Sequence, residues 1–297
     1  MTNEQEILPE PPELSRIDLE PPGQTGESLQ MAFLDYGGSG KGVVLLHATG
    51  FLPWLWHSVA SAIARDHRVI VPCFFSHRPS DPHRGGLGWL QLAEDLRRLC
   101  VHLKLDHPVF VGHSMGATVA ILAHTVQQTA AAGMVLIEPI LLPAEAYRGS
   151  MPLDQHPLAA KAIRRKNHWP DRKAVWNDFK TKPFFRSWDP AVLALYVQFG
   201  IREEASGGVT LTCSPQQEAS LFMGGLQHDP WPELTKVTCP AWVVEGEVSE
   251  NRHWIDLRQV AGLIPGSRHI NVPGAGHLVP MEKPVETIRL IRSFLKA

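Results

Sequence analysis

Short apolar runs alternate with stretches of helical spacing through the first half of the chain. Gly42 to His47, Arg68 to Pro72, Pro108 to Gly112 and Gly133 to Glu138 are each brief and rich in valine, leucine or isoleucine. They lack the in–out alternation of a half-solvated strand, so they predict strands covered on both faces. Leu29 to Asp35 predicts a further strand, ended by the turn Gly37-Gly38-Ser39-Gly40. Between these runs lie helix-like segments: Trp54 to Arg65, Trp89 to Leu103 and Met115 to Gln127. The second is amphipathic, with Leu92, Leu96, Leu99 and Leu103 on one face and Glu94, Arg97, Arg98 and Lys104 elsewhere. Strands alternating with helices predict parallel crossovers and an α/β class.

The alternation stops after Glu138. From Pro139 to Glu233 prolines, aromatics and helix-like patterns predominate, and no run there fits the central sheet. It resumes with strands at Ala241 to Glu245 and Arg268 to Val272, and helices at Trp254 to Ala261 and Val285 to Leu295. The expected organisation is an N-terminal arm over 1–27, a core made of 28–138 and 234–297, and a helical cap over 139–233. The acidic, proline-rich stretch from Glu4 to Pro22 predicts a poorly ordered arm across the surface.

Composition narrows the function classes. The 297 residues carry a net charge of −2 and 44% hydrophobic residues, ordinary for a globular chain that binds no nucleic acid. The longest apolar runs are far too short to span a bilayer, and no basic segment precedes an apolar leader. Cys73, Cys100, Cys213 and Cys239 form no C-x-x-C pair, which favours reduced thiols and a cytoplasmic setting. The 15 histidines make no H-E-x-x-H motif and no tight His/Cys cluster, so no metal site is expected. Lys161 to Arg186 holds nine Lys/Arg and two Asp. A solvated helical face is the favoured reading, ahead of a surface for an anionic substrate or lipid.

The chemistry centres on Gly112-His113-Ser114-Met115-Gly116. This is a G-x-S-x-G motif, with a strand expected before it and a helix after it. A turn that sharp needs flanking positions without side chains, and it pushes the serine hydroxyl out above the sheet. The helix N-terminus beneath supplies a free N–H from Met115 that can bind an oxyanion. A serine hydroxyl also needs a base. His277, in Pro273-Gly274-Ala275-Gly276-His277, follows the last strand, where loops at the carboxyl ends of parallel strands converge.

With these segments, Val43 to His47, Gly112 to Gly116, Cys239 to Gly246 and Gly274 to His277, the chain resembles the α/β-hydrolase superfamily over nearly all of its length after about residue 28. His47-Ala48-Thr49-Gly50-Phe51 with Trp56, and Thr212 to Ala219, are similar to a subgroup of bacterial and fungal hydrolases that includes a yeast peroxisomal lipase. The resemblance implies the α/β-hydrolase fold and cofactor-free hydrolysis of esters or related acyl compounds. It also implies a second oxyanion donor in the loop after Leu46, at Thr49, with Gly50 as the alternative. His47 is expected to support that loop rather than act as a base.

The triad acid departs from the family pattern. Many members carry an aspartate at the fourth position of a G-x-x-D turn, and here Gly246-Glu247-Val248-Ser249 has a serine. Others carry the acid at the end of the preceding sheet strand, where Glu138 stands. Glu138 is the expected acid, with Glu250 and Glu247 as alternatives. The loop Pro72 to Ser80 also lacks the usual aspartate and arginine–glycine turn, which reshapes one pocket wall. Trp54, Trp169, Trp176, Trp188 and Trp231 are read as packing first and as pocket lining second. The expected function is a serine hydrolase acting on a small acyl substrate. The rivals are a carbon–carbon bond hydrolase or lyase with the same triad, and a ligand-binding homologue without turnover.

Overall fold

The computed structural model describes residues 10–19, 29–75, 77–149 and 151–297. In chain order the elements are β1 (Leu14–Asp18), β2 (Gln30–Asp35), β3 (Gly42–Leu46), α1 (His57–Ile63), β4 (Arg68–Pro72), α2 (Trp89–His102), β5 (Val109–His113), α3 (Met115–Thr125) and β6 (Gly133–Ile137). There follow α4 (Pro157–Ile163), α5 (Arg172–Thr181), α6 (Pro190–Phe199), β7 (Ile201–Glu203), β8 (Val209–Leu211) and α7 (Pro215–Gly224). The chain closes with β9 (Ala241–Gly246), α8 (Leu257–Leu263), β10 (Arg268–Val272), α9 (Val279–Glu282) and α10 (Pro284–Leu295).

Eight strands form one sheet in the order β1-β2-β4-β3-β5-β6-β9-β10. From β4 to β10 all neighbours are parallel, whereas β2 runs antiparallel to both β1 and β4. Every residue of β3, β5 and β6 is buried, as their unbroken apolar runs require. The period of two then divides their side chains between two apolar layers. Val43 and Leu45 pack with Val59 and Ile63 of α1 and with Ile291 and Phe294 of α10. Val44 and Leu46 pack on the other face with Leu92 and Leu96 of α2 and Val119 of α3. This is the α/β-hydrolase fold that the alternation and the resemblance predict.

Residues 14–18 correct the expectation of a poorly ordered arm. They form β1, in register with β2 from Leu14 opposite Leu34 to Asp18 opposite Gln30. An edge strand is held by main-chain hydrogen bonds, so a polar run such as Leu-Ser-Arg-Ile-Asp joins the sheet with only Ile17 buried. The rest of the arm reading, over 4–9 and 20–22, lies outside the described residues.

The segment between β6 and β9 contains α4 to α7 and, in addition, a hairpin of β7 and β8 that forms its own two-stranded sheet. Trp169 bridges to Val209 of this hairpin. The insertion packs on the loop after β3 and on the C-terminal part of the core. Phe199 stacks on Trp54 at 5.0 Å, Trp188 meets Phe51 edge-on at 5.5 Å, and the Asp189 N–H donates to the Met281 carbonyl at 2.8 Å. The five tryptophans singled out in the sequence all take packing or anchoring positions. Trp169 is buried and donates to Asp178, Trp231 donates to the Leu142 carbonyl, and Lys180 lies over the Trp176 ring.

Candidate active site

Ser114 sits between β5 and α3 with φ 55° and ψ −118°, a conformation that L-residues rarely adopt. Its glycine neighbours explain how the turn fits. A Cβ on Gly112 would lie 2.4 Å from the Ala117 nitrogen, and one on Gly116 would lie 2.4 Å from the Leu46 carbonyl oxygen. The first contact lies within the elbow and the second is against β3, so only glycine lets the serine stand at the tip of so sharp a turn. Ser114 is the N-cap residue of α3, and the N–H of Met115 therefore opens towards the site without an intrahelical acceptor.

His277 follows β10 in the glycine loop. Its Nε2 lies 3.2 Å from Ser114 Oγ, and its Nδ1 lies 3.0 Å from Glu138 Oε2. With Nδ1–H donated to the carboxylate, Nε2 is left as the acceptor for the serine proton. Glu138 is 1% exposed and has φ 50°, at the carboxyl end of β6. Its carboxylate accepts from the Gly246 N–H at 2.7 Å and from the Ser249 hydroxyl at 2.8 Å. The histidine and these two donors satisfy a carboxylate that water cannot reach.

Glu247 and Glu250, the sequence alternatives for the acid, are placed differently. Glu247 accepts from the Gly274 N–H at 2.8 Å, and Glu250 is an exposed residue at the start of a 3₁₀ turn. Ser249, in the loop after β9, reaches the same carboxylate from the neighbouring strand end. Gly246 lets the two loops approach, since a Cβ there would lie 2.2 Å from the Gly276 carbonyl oxygen.

Three supporting residues carried little or no sequence signal. His113, the variable residue of G-x-S-x-G, is fully buried and donates Nε2–H to the His277 carbonyl at 2.9 Å, which anchors the histidine loop. Burial, and then the neighbouring His277, lower its pKa to about 3. The Asn251 side-chain amide lies 2.9 Å from His277 Nδ1, and because that nitrogen carries the proton given to Glu138, the amide oxygen is the atom that can pair with it. Ser249 is the third. Each role depends on a contact between distant segments, which spacing along the chain does not encode.

His47 has the supporting place expected of it. Its Nδ1–H donates to the Ala48 carbonyl at 2.9 Å, and its Nε2 accepts the Phe74 N–H at 2.9 Å. Burial lowers its pKa to about 4, so it is neutral near pH 7 and ties together the loops after β3 and β4. Thr49 and Gly50 are the central residues of a turn closed by a hydrogen bond from the Phe51 N–H to the Ala48 carbonyl at 3.1 Å. Gly50 has φ 73°, the left-handed value that a type II turn needs at its third position. The loop after β4 carries a buried ion-paired group. Asp95 of α2 accepts from His77 at 2.8 Å and from Arg78 at 2.7 Å.

Among the described residues no group of His, Cys, Asp or Glu is placed to hold a metal, and no helix is long and apolar enough to cross a membrane. Cys73, Cys100, Cys213 and Cys239 are all buried, and none is joined in a disulfide. In the basic segment Arg165 pairs with Glu218, Lys166 and Lys182 with Asp178, and Arg172 with Glu203, while Lys161, Arg164, Lys173 and Arg186 are exposed.

Residues 43–290 match the alpha/beta hydrolase family. An abhydrolase domain-containing protein of Alternaria alternata, AFT2-1, is 28% identical over 227 residues, 63% of this chain and 82% of that protein. The 2-(acetamidomethylene)succinate hydrolase of Mesorhizobium japonicum is 27% identical over 226 residues, 74% of this chain and 76% of the relative. Among solved structures, the peroxisomal alpha-beta-hydrolase of Saccharomyces cerevisiae superposes with a TM-score of 0.78 at 16% identity, covering 95% of this chain and 87% of that one. With the elbow, the sheet order and this match in agreement, the chain belongs to the alpha/beta hydrolase family.

Proposed function

We propose that the protein is a serine hydrolase that cleaves a carboxylic ester or related acyl compound through Ser114, His277 and Glu138. The observation that carries this reading is the unbroken path from Ser114 Oγ to His277 Nε2 at 3.2 Å and from His277 Nδ1 to Glu138 Oε2 at 3.0 Å. Ser114 attacks the acyl carbon while its proton passes to His277. The imidazolium formed is stabilised by the Glu138 carboxylate. The Met115 and Thr49 N–H groups hold the oxyanion of the tetrahedral intermediate. His277 then gives its proton to the leaving group, and the acyl-enzyme forms. A water deprotonated by His277 attacks the acyl-enzyme, and return of that proton from His277 to Ser114 Oγ as the acyl bond breaks releases the acid. A serine at the elbow favours acyl transfer over chemistry that needs a carboxylate nucleophile there.

Membership of the family supports hydrolysis, and the ester bond is the narrower part of the proposal. The Mesorhizobium relative is a 2-(acetamidomethylene)succinate hydrolase, so an N-acyl enamine dicarboxylate belongs beside esters in any substrate panel. The test is turnover of p-nitrophenyl esters from short to long acyl chain, and of that enamine, by wild type, Ser114→Ala and Glu138→Gln. Turnover lost in both variants supports the triad, and the preferred chain length sizes the pocket. A folded wild type inert towards the whole panel would sink the acyl-transfer reading.

A further inference from the structure

The segments His47 to Phe51 and Thr212 to Ala219 lie far apart in the chain, and the fold brings them into contact. Gly50 and Glu218 meet there. A Cβ on Gly50 would lie 2.8 Å from Cγ, Cδ and Oε1 of Glu218, so the Glu218 carboxyl group rests on the bare face of the turn that carries Thr49 and Gly50. Glu218 is fixed at its own end. It lies in the first turn of α7, whose capping box joins the Ser214 hydroxyl to the Gln217 N–H and the Gln217 side chain to the Ser214 N–H.

The other carboxylate oxygen, Oε2, accepts from Arg165 Nη1 at 2.6 Å, with the two side chains 15% and 26% exposed. Arg165 follows α4, which packs against α7. The guanidinium also neighbours the buried phenol of Tyr196, whose ring meets Phe51, the last residue of the turn, edge-on at 6.1 Å. The insertion therefore presses one oriented charge pair and one aromatic ring on the loop that holds a proposed oxyanion donor.

We propose that Glu218, held by Arg165, is a positioning residue that keeps the Ala48–Phe51 turn aimed at the developing oxyanion. This rests on the acyl-transfer reading above. Oxyanion donors work by being fixed before charge develops, so a turn free to rock loses transition-state stabilisation more than ground-state binding. Glu218 touches the turn of the proposed donor, and among the described residues no hydrogen bond joins it to Ser114, His277 or Glu138. Its loss should therefore lower kcat and leave KM almost unchanged.

The test compares wild type, Glu218→Gln, Glu218→Ala, Arg165→Met and the double variant Glu218→Ala/Arg165→Met in the full chain. The readouts are kcat and KM on the best p-nitrophenyl ester, the rate at which a fluorophosphonate labels Ser114, the affinity for a trifluoromethyl ketone, and the melting temperature. The expected result is a fall of about 10- to 100-fold in kcat and labelling rate with KM within about threefold, against about 10²- to 10³-fold for outright loss of a donor. Ketone affinity should fall in parallel with kcat, because that inhibitor forms the oxyanion adduct. The double variant should be no worse than the weaker single one, since the pair acts as a unit. Glu218→Gln keeps the shape of the side chain and guards against a fold defect. Raised KM at constant kcat would overturn the proposal by making the pair a substrate contact. A lowered melting temperature with unchanged kcat and labelling would overturn it by making the pair a strut. A wild type that labels at Ser114 beside variants that label equally fast refutes this proposal alone, whereas a wild type with neither labelling nor turnover removes the acyl-transfer reading and this inference together.

Discussion

In the proposed triad the task of the acid is divided between two neighbouring strand ends, at Glu138 and Ser249. The carboxylate stands just after β6, and the serine in the loop after β9 donates to it at 2.8 Å. Glu138→Gln keeps the shape but gives His277 no negative partner and can hold it in the wrong tautomer. A loss of about 10⁴-fold in kcat is expected from the serine-protease precedent. Ser249→Ala removes one hydrogen bond to a charged group, worth about 1.5–3 kcal/mol, so a smaller loss of roughly 10- to 100-fold should follow. The double variant Glu138→Gln/Ser249→Asp moves the charge to the adjacent strand. It should recover at least about tenfold over Glu138→Gln, because the new carboxylate lies beside the same imidazole. Steady-state kinetics on the preferred ester measures all three, and a double variant no better than Glu138→Gln would show that the two strand ends are not interchangeable.

At the scale of elements, the strand–turn–helix unit β5–Ser114–α3 is held by close packing against β3. The Leu46 carbonyl leaves no room for a side chain at Gly116. Leu46 pairs with Gly112 in the middle of the sheet, so β3 cannot give way. Gly116→Ala should therefore cost about 1–3 kcal/mol or more in urea unfolding, typical of overpacking, and should displace Ser114 from His277. Wild-type stability and activity in that variant would contradict the packing account. The buried strands and the amphipathic helices were legible in the chain because burial on two faces, or on one stripe, writes itself into residue type. β1 was not, since pairing along a sheet edge uses the main chain and leaves side chains unconstrained. The hairpin β7–β8 was hidden for a related reason, as each of its strands has only three residues.

For the molecule as a whole, two buried histidines join the loops around the site and make stability depend on pH. The pKa of His47 is lowered from 6.5 to about 4 by burial, and that of His113 from 6.5 to about 3 by burial and then by His277. Between roughly pH 4 and 6.5 the unfolded chain takes up these protons and the folded chain does not. Stability is thus fully present above pH 6.5 and is lost as pH falls, with a slope of up to about 1.4 kcal/mol per pH unit for each histidine. Urea unfolding at pH 7.5, 6.0 and 5.0 should show this decline. His113→Gln should flatten it by about one proton, and an unchanged slope in that variant would assign the acid sensitivity elsewhere.

The sequence by itself determined the α/β class, the central strands, the elbow with Ser114 and the glycine loop with His277. These are local features: an apolar run, a turn that only glycine permits, a helix start. The tertiary structure alone decided that Glu138 faces His277 while Glu247 pairs with the Gly274 N–H and Glu250 is exposed, that His113 anchors the loop of His277 and Asn251 lies beside its imidazole, and that Glu218 rests on Gly50. Those pairings join residues more than a hundred positions apart in several cases, such as Glu138 with Ser249 at a separation of 111. They follow from which strands lie side by side and where the insertion lands. That order is fixed by the packing of the whole chain, and no spacing along it records the outcome.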